Sequence, residues 1–357
     1  MPLTTKLPYK AVGPMKLARR WFLTPLAPAC RHFFNEGHGM GPSNIGRLIT
    51  PNTLLPYAVA LIDSSQLPRP LVGSSVIALL DDLYCRPARL AARAPQLPTS
   101  LVQRMGYTHS AILASATDFA ALALERISLR DGAISTSLPL SPSELFRFCR
   151  AFYRVELFYR LFRGGAFADD VNRWFFWRQP PWENEQLGCI CCYLEAKLDQ
   201  VLANCNINHV EEDKQDFLND NALKPYWLAQ GVEFVSKLTN APSYKDKQNM
   251  LNTGLNASFL DKANVELPEI LYAVYFGDGT QDFEEACDSV APHRYGQPND
   301  EDTDLGPYEA WRTENVGWGV PESFIPEPKA WLRDRAYVLW DSDRVRKMGG
   351  FKNEDEV

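Results

Sequence analysis

SPSELFRFCRAFYRVELFYRLFRGG, residues 141–165, carries the most regular pattern in the chain. Ser141 supplies a side-chain oxygen that can cap free helix amides, Pro142 suits the first helical position, and Glu144 stands where a capping-box carboxylate belongs. Beyond that start Leu145, Phe148, Cys149, Phe152, Val155, Tyr159 and Phe162 recur at steps of three and four, one apolar stripe along a helix that Gly164 and Gly165 end. A stripe this rich in rings needs other helices to cover it, which predicts a helical core with this segment at its centre.

The same segment is also strongly basic. Arg147, Arg150 and Arg154 fall within a sector of about 60° at roughly 100° per residue, opposite much of the apolar stripe. They are the candidate binding residues, a ridge suited to an acidic partner, to phosphate groups or to the chain's own acidic segment at 278–309; the last contact gains from high effective concentration. A solvated helix face is the alternative. Glu156 and Arg160 form an i, i+4 pair that needs no further partner.

On either side, the pattern from Asn52 onward is mostly helical. Leu71–Tyr84 reads as a helix, 86–100 with Pro87, Pro95 and Pro98 as a connector, and Leu101–Leu129 as a pair of helices. A long helix follows from Pro181 to Leu202, beside the aromatic cluster Trp174, Phe175, Phe176, Trp177 and Trp182, and another covers Glu211–Leu238. Residues 278–309 turn acidic and rich in Gly, Pro, Asn and Asp, as in an irregular loop. Pro328–Lys347 reads as helix again, anchored by Trp331, Leu332, Leu339 and Trp340. The fold class is therefore mainly α: an irregular helical bundle with a long acidic loop and a short C-terminal helix. Its parts are a basic, proline-containing arm at 1–50, a helical core at 51–277, the loop at 278–309, a tryptophan-rich segment packing on the core at 310–348, and a tail at 349–357.

With 357 residues, 45% of them hydrophobic, the chain can fill a sizeable core. Its formal net charge of -7 argues against a nucleic-acid binder. The longest apolar runs, Leu54–Ile62 and Val76–Leu80, fall short of the roughly 20 residues that cross a bilayer. Eight cysteines are too dilute for a disulfide framework, and the crowding of Cys189, Cys191 and Cys192 suits reduced thiols. Without a charged-then-apolar signal peptide, this predicts an intracellular location, cytoplasmic or nuclear. At the start, Lys6, Lys10, Lys16, Arg19, Arg20, Arg31 and Arg47 face a single acid, Glu36, so mitochondrial targeting is the alternative, although five prolines between Pro2 and Pro28 spoil an amphipathic helix.

Three segments carry a resemblance: ELFRFCRAFYRVELFYRLF at 144–162, PPWENEQLGCICCYLEAKL at 180–198, and GPYEAWRTENVGWGVPESFIPEPKAWLRDRAYVLWDSDRV at 306–345. Together they resemble a lineage-expanded family of uncharacterised proteins from filamentous fungi, some of which bear F-box-like labels. The resemblance implies an intracellular fungal protein with a helical body, and it brings no catalytic or binding residue with it. The chain lacks the Leu-Pro start and Leu-rich helices of an F-box.

Reactive motifs are scarce. Cys189, Cys192, Cys205 and His209 are candidate zinc ligands, the last two at a helical i, i+4 step, but the spacing is irregular and buried thiols explain the cysteines as well. DGTQDFEE at 278–285 copies half of a calcium loop, yet Val274 and Phe276 occupy its first ligand positions. GHGMGPSNIGR at 37–47 lacks the glycine-lysine-Ser/Thr ending of a phosphate loop, and no nucleophile elbow accompanies His32, His38, His109, His209 or His293. Asp81–Asp82 and Asp169–Asp170 lack the carboxylate one turn on that magnesium clusters need, since Cys85 and Arg173 stand there. No cofactor is expected. The residues read as a non-enzymatic helical interaction protein that binds a protein segment; the alternative is an enzyme with its pocket between the Trp174–Trp182 region and the C-terminal block.

Overall fold

A computed structural model describes residues 54–68, 71–131, 139–162, 175–176, 179–204, 223–253, 267, 304–316 and 330–348, all within one compact unit. The basic arm, the tail, Trp174, Trp177, Asp169–Asp170, residues 37–47, the 278–285 run, Cys205 and His209 lie outside the described residues. Among the described residues there are twelve α-helices, one 3-10 turn and no strand, so the fold is mainly α. None of these helices is long and apolar enough to cross a membrane.

The apolar run at Leu54 becomes α1 (Leu55–Gln66), which buries residues on almost every side. A helix apolar all round belongs inside a protein, and α1 lies against the central helix. Next come α2 (Gly73–Cys85) and α3 (Pro87–Ala91), then a 3-10 turn at Ala94–Gln96. The connector therefore carries helical turns of its own, each with a proline in its first turn, where the lost N–H has no intrahelical partner.

Residues 99–131 form one helix, α4 (Thr99–Asp131), and not the pair that the sequence suggested. Gly106 does not break it. Val102, Met105, Ile112, Ala116, Phe119, Ala123 and Ile127 keep a buried face in register from end to end.

At the centre stands α5 (Pro142–Phe162), in contact with α1, α4 and α6 (Pro181–Asn204). Its capping box forms as expected: Glu144 N–H donates to Ser141 Oγ at 3.0 Å, and Ser141 N–H to Glu144 Oε2 at 2.9 Å. Phe148, Phe152, Phe158 and Phe162 are all fully buried. Edge-to-face contacts join Phe148 to Phe119 and Phe152 to Tyr193, the geometry that ring quadrupoles favour.

Past α6, α7 (Lys224–Leu228) and α8 (Val232–Asn240) replace the second half of the single helix expected up to Leu238. The break is Gly231, at φ +92, a conformation that glycine alone adopts cheaply. Glu156 fixes the join by accepting from Val232 N–H at 2.8 Å while also holding Arg160, so that i, i+4 pair does have a third member. Ser243 then caps α9 (Tyr244–Asn252) through Asp246 N–H.

Where the acidic loop was expected to reach 309, α10 (Gly306–Val316) already starts at Gly306. The expected helix over 328–347 is two short ones, α11 (Ala330–Arg333) and α12 (Ser342–Lys347), with a turn segment between them. Ala336 at φ +55 reverses the chain there, and Trp340 Nε1 donates back to Arg335 O at 2.7 Å. Tyr337, Val338, Leu339 and Trp340 are fully buried, so this segment completes the core.

Candidate functional site

The three arginines of α5 do not face solvent. Arg147, Arg150 and Arg154 are 0%, 3% and 1% exposed, and each points into side chains of α6 or the C-terminal segment. Arg147 donates to Leu339 O at 3.1 Å and pairs with the Asp341 carboxylate. Arg150 pairs with Glu183 at 3.1 Å. Arg154 donates to Glu183 O and to Asn184 Oδ1, both at 2.9 Å, and its guanidinium lies 5.7 Å from the Phe175 ring centroid. The physical reason is cost. Large buried cations are held only where close oxygens replace their water, and α6 and the C-terminal segment bring those oxygens.

The lattice continues on both sides. Glu144, fully buried, takes both Arg344 Nε and Nη2, at 2.5 and 2.6 Å, besides its cap. Arg333 forks onto Glu185 at 2.7 and 2.9 Å, across Gly188, where an added Cβ would sit 2.9 Å from Arg333 Nε. Asp304 accepts from the amides of Gly306 and Ser342, at 2.7 and 2.9 Å, and from the Ser342 hydroxyl. Partial burial works against its charge, but those three donors and Arg147 outweigh it and hold the Asp304 carboxyl below the usual range. The acids that meet the ridge, Glu183 and Asp341, lie outside the 278–309 segment expected to do so; of that segment only 304–309 are among the described residues, with Asp304 close to Arg147.

Two tyrosines close the inner end of this cluster. Burial, with Glu183 adding to it and Arg150 and Arg154 opposing it, pushes the hydroxyls of Tyr57 and Tyr84 up, so both stay protonated. On α4, His109 Nδ1 lies 3.0 Å from Tyr153 OH, and Tyr153 lines a cleft together with Leu61, Met105, Arg104 and Arg160.

The cysteines of α6 divide by face. Cys189 and Cys192 lie near Arg333, whereas Cys191 meets Tyr159 OH at 3.5 Å. Burial pushes all three thiols up, Cys192 to about 11, and Cys149 on α5 to about 12. Such thiols are protonated at neutral pH and do not act as nucleophiles or ligands without losing that proton. Among the described residues no cluster of three His, Cys, Asp or Glu side chains is placed to hold a metal. Asp82 is engaged by Arg86 and Arg89.

One surface was missed. On α10, Tyr308 and Trp311 are half-buried and pack on Trp182 at the start of α6, with ring centroids 5.0 and 6.4 Å apart, while Leu305 just before them is 48% exposed. The i, i+3 spacing of Leu305, Tyr308 and Trp311 was the available signal, hidden because 306–309 read as loop. No family model matches the chain, and no curated protein or solved structure matches it either.

Proposed function

We propose that the protein is an intracellular, non-enzymatic interaction protein that binds a protein segment, and that it does so at the aromatic face of α10. The supporting observation is the group Leu305, Tyr308, Trp311 and Trp182: an exposed aliphatic side chain beside three half-buried rings. Rigid tryptophan and tyrosine rings that keep part of their area open are what binding hot spots are made of. The likeness to filamentous-fungal proteins belongs to the same reading. The enzyme alternative would use the polar groups between the Trp182 region and the C-terminal block. There Arg150, Arg154, Glu183, Asn184 and Gln186 are buried against one another and against backbone.

The test is quantitative affinity purification of the tagged protein from its own cells, comparing the parent with the Leu305→Asp, Trp311→Ala double variant. Polypeptides that co-purify with the parent should fall away from the variant while its thermal midpoint stays close. An unchanged set of co-purifying chains would overturn the reading.

A further inference from the structure

A second arginine row in the chain meets the opposite fate to the first. Arg86, Arg89 and Arg93 recur at i, i+3 and i+7 through α3 and the turn after it, and their side chains are 52%, 64% and 49% exposed. Beneath them lie two carboxylates that are mostly covered. Asp82, 17% exposed, takes Arg86 at 2.9 Å and Arg89 at 3.3 Å; Asp63, 12% exposed, takes both terminal nitrogens of Arg93, at 2.8 and 3.2 Å. Burial pushes the Asp63 carboxyl up against the pull of Arg93, and the charge of Asp82 adds to the rise.

This arrangement orients the guanidiniums without using them up. Each carries five N–H donors, and the carboxylates below engage one or two of them, so the remaining edges face water. The neighbourhood is also segregated by charge. Between Asp82 and Asp118 the sequence has Arg86, Arg89, Arg93 and Arg104 and no acid at all, in a chain of net charge -7.

We propose that Arg86, Arg89 and Arg93 form a docking surface for an acidic polypeptide segment, whose Asp or Glu carboxylates pair with the outward edges of the three guanidiniums. Arg86 is the N-cap of α3, Arg89 stands within it and Arg93 in the turn that follows, so the three lie within one short stretch of chain that a few residues of an acidic segment can span. The forked geometry of arginine matches carboxylates in pairs of bonds. A nucleic-acid backbone, the other polyanion such a row could take, is told apart by the competition below. The surface uses none of the α10 residues, so it stands or falls separately from the aromatic face.

Fluorescence anisotropy of the full chain with a fluorescein-labelled, glutamate-rich peptide tests it. Saturable binding is expected, weaker in raised salt, reduced about tenfold or more by Arg86→Ala, Arg89→Ala and Arg93→Ala together, and untouched by Trp311→Ala. Should the triple variant fail to fold, Arg89→Glu alone, at the most exposed of the three, must weaken binding. Absence of saturable binding by the parent, or equal binding by the variants, overturns the proposal. So does an oligodeoxythymidine of equal charge that displaces the peptide and binds more tightly, which would assign the row to nucleic acid.

Discussion

Removing water from a guanidinium costs several kcal/mol, and α5 does it three times. The bonds that offset this cost come from residues far along the chain: Arg147 reaches Asp341 across 194 positions, and Glu144 reaches Arg344 across 200. That distance is why the ridge was legible as a row of charges but not as a buried one. Helical periodicity says which residues share a face; it does not say what the face meets. The capping box was legible because all its members are neighbours. Since Glu144 is fully buried, Glu144→Ala leaves Arg344 without its carboxylate partner and the Asp341 amide without its acceptor, and should destabilise the fold by about 3–5 kcal/mol in urea unfolding. Arg346→Ala, from a pair whose partners are 75% and 76% exposed, should move the same curve by no more than its error.

Where helices begin and end, local chemistry was a good guide when the punctuation was strong. Pro142 and Pro181 stand at the starts of α5 and α6 as expected. It misled where tertiary packing overruled a weak signal. In α4 the buried face continues past Gly106, and packing outweighs the roughly 1 kcal/mol that glycine costs a helix. An added Cβ at Gly106 meets open space, so Gly106→Ala should stabilise the protein by about 0.5–1 kcal/mol, seen as a higher thermal midpoint. The contrast is Gly231, where positive φ and the Glu156 carboxylate, 2.2 Å from an added Cβ, forbid the same change. The break between α7 and α8 was invisible beforehand because its cause lies on another helix.

Seen whole, the molecule is a bundle whose last described segment forms part of its interior. Asp304 ties the start of α10 to that of α12, and its carboxyl is held below the usual value near 3.9. A depressed folded pKa means that the stabilisation is complete above the unfolded value and disappears as pH falls through the folded one. The parent should therefore exceed Asp304→Asn in thermal midpoint above about pH 4, and the gap should close on further acidification. The helical class and the central place of 141–162 could be read from periodicity alone; the aromatic face of α10 and the exposed row at Arg86 could not, because exposure is a property of the assembled bundle. One consequence concerns synthesis. Tyr337–Trp340 and Asp341 are made well after α5, so until they emerge from the ribosome α5 lacks both the Trp340 ring that packs on Phe148 and the counterion of Arg147. Polypeptides cut short before that point hold an unfinished interior and are natural prey for chaperones and proteases.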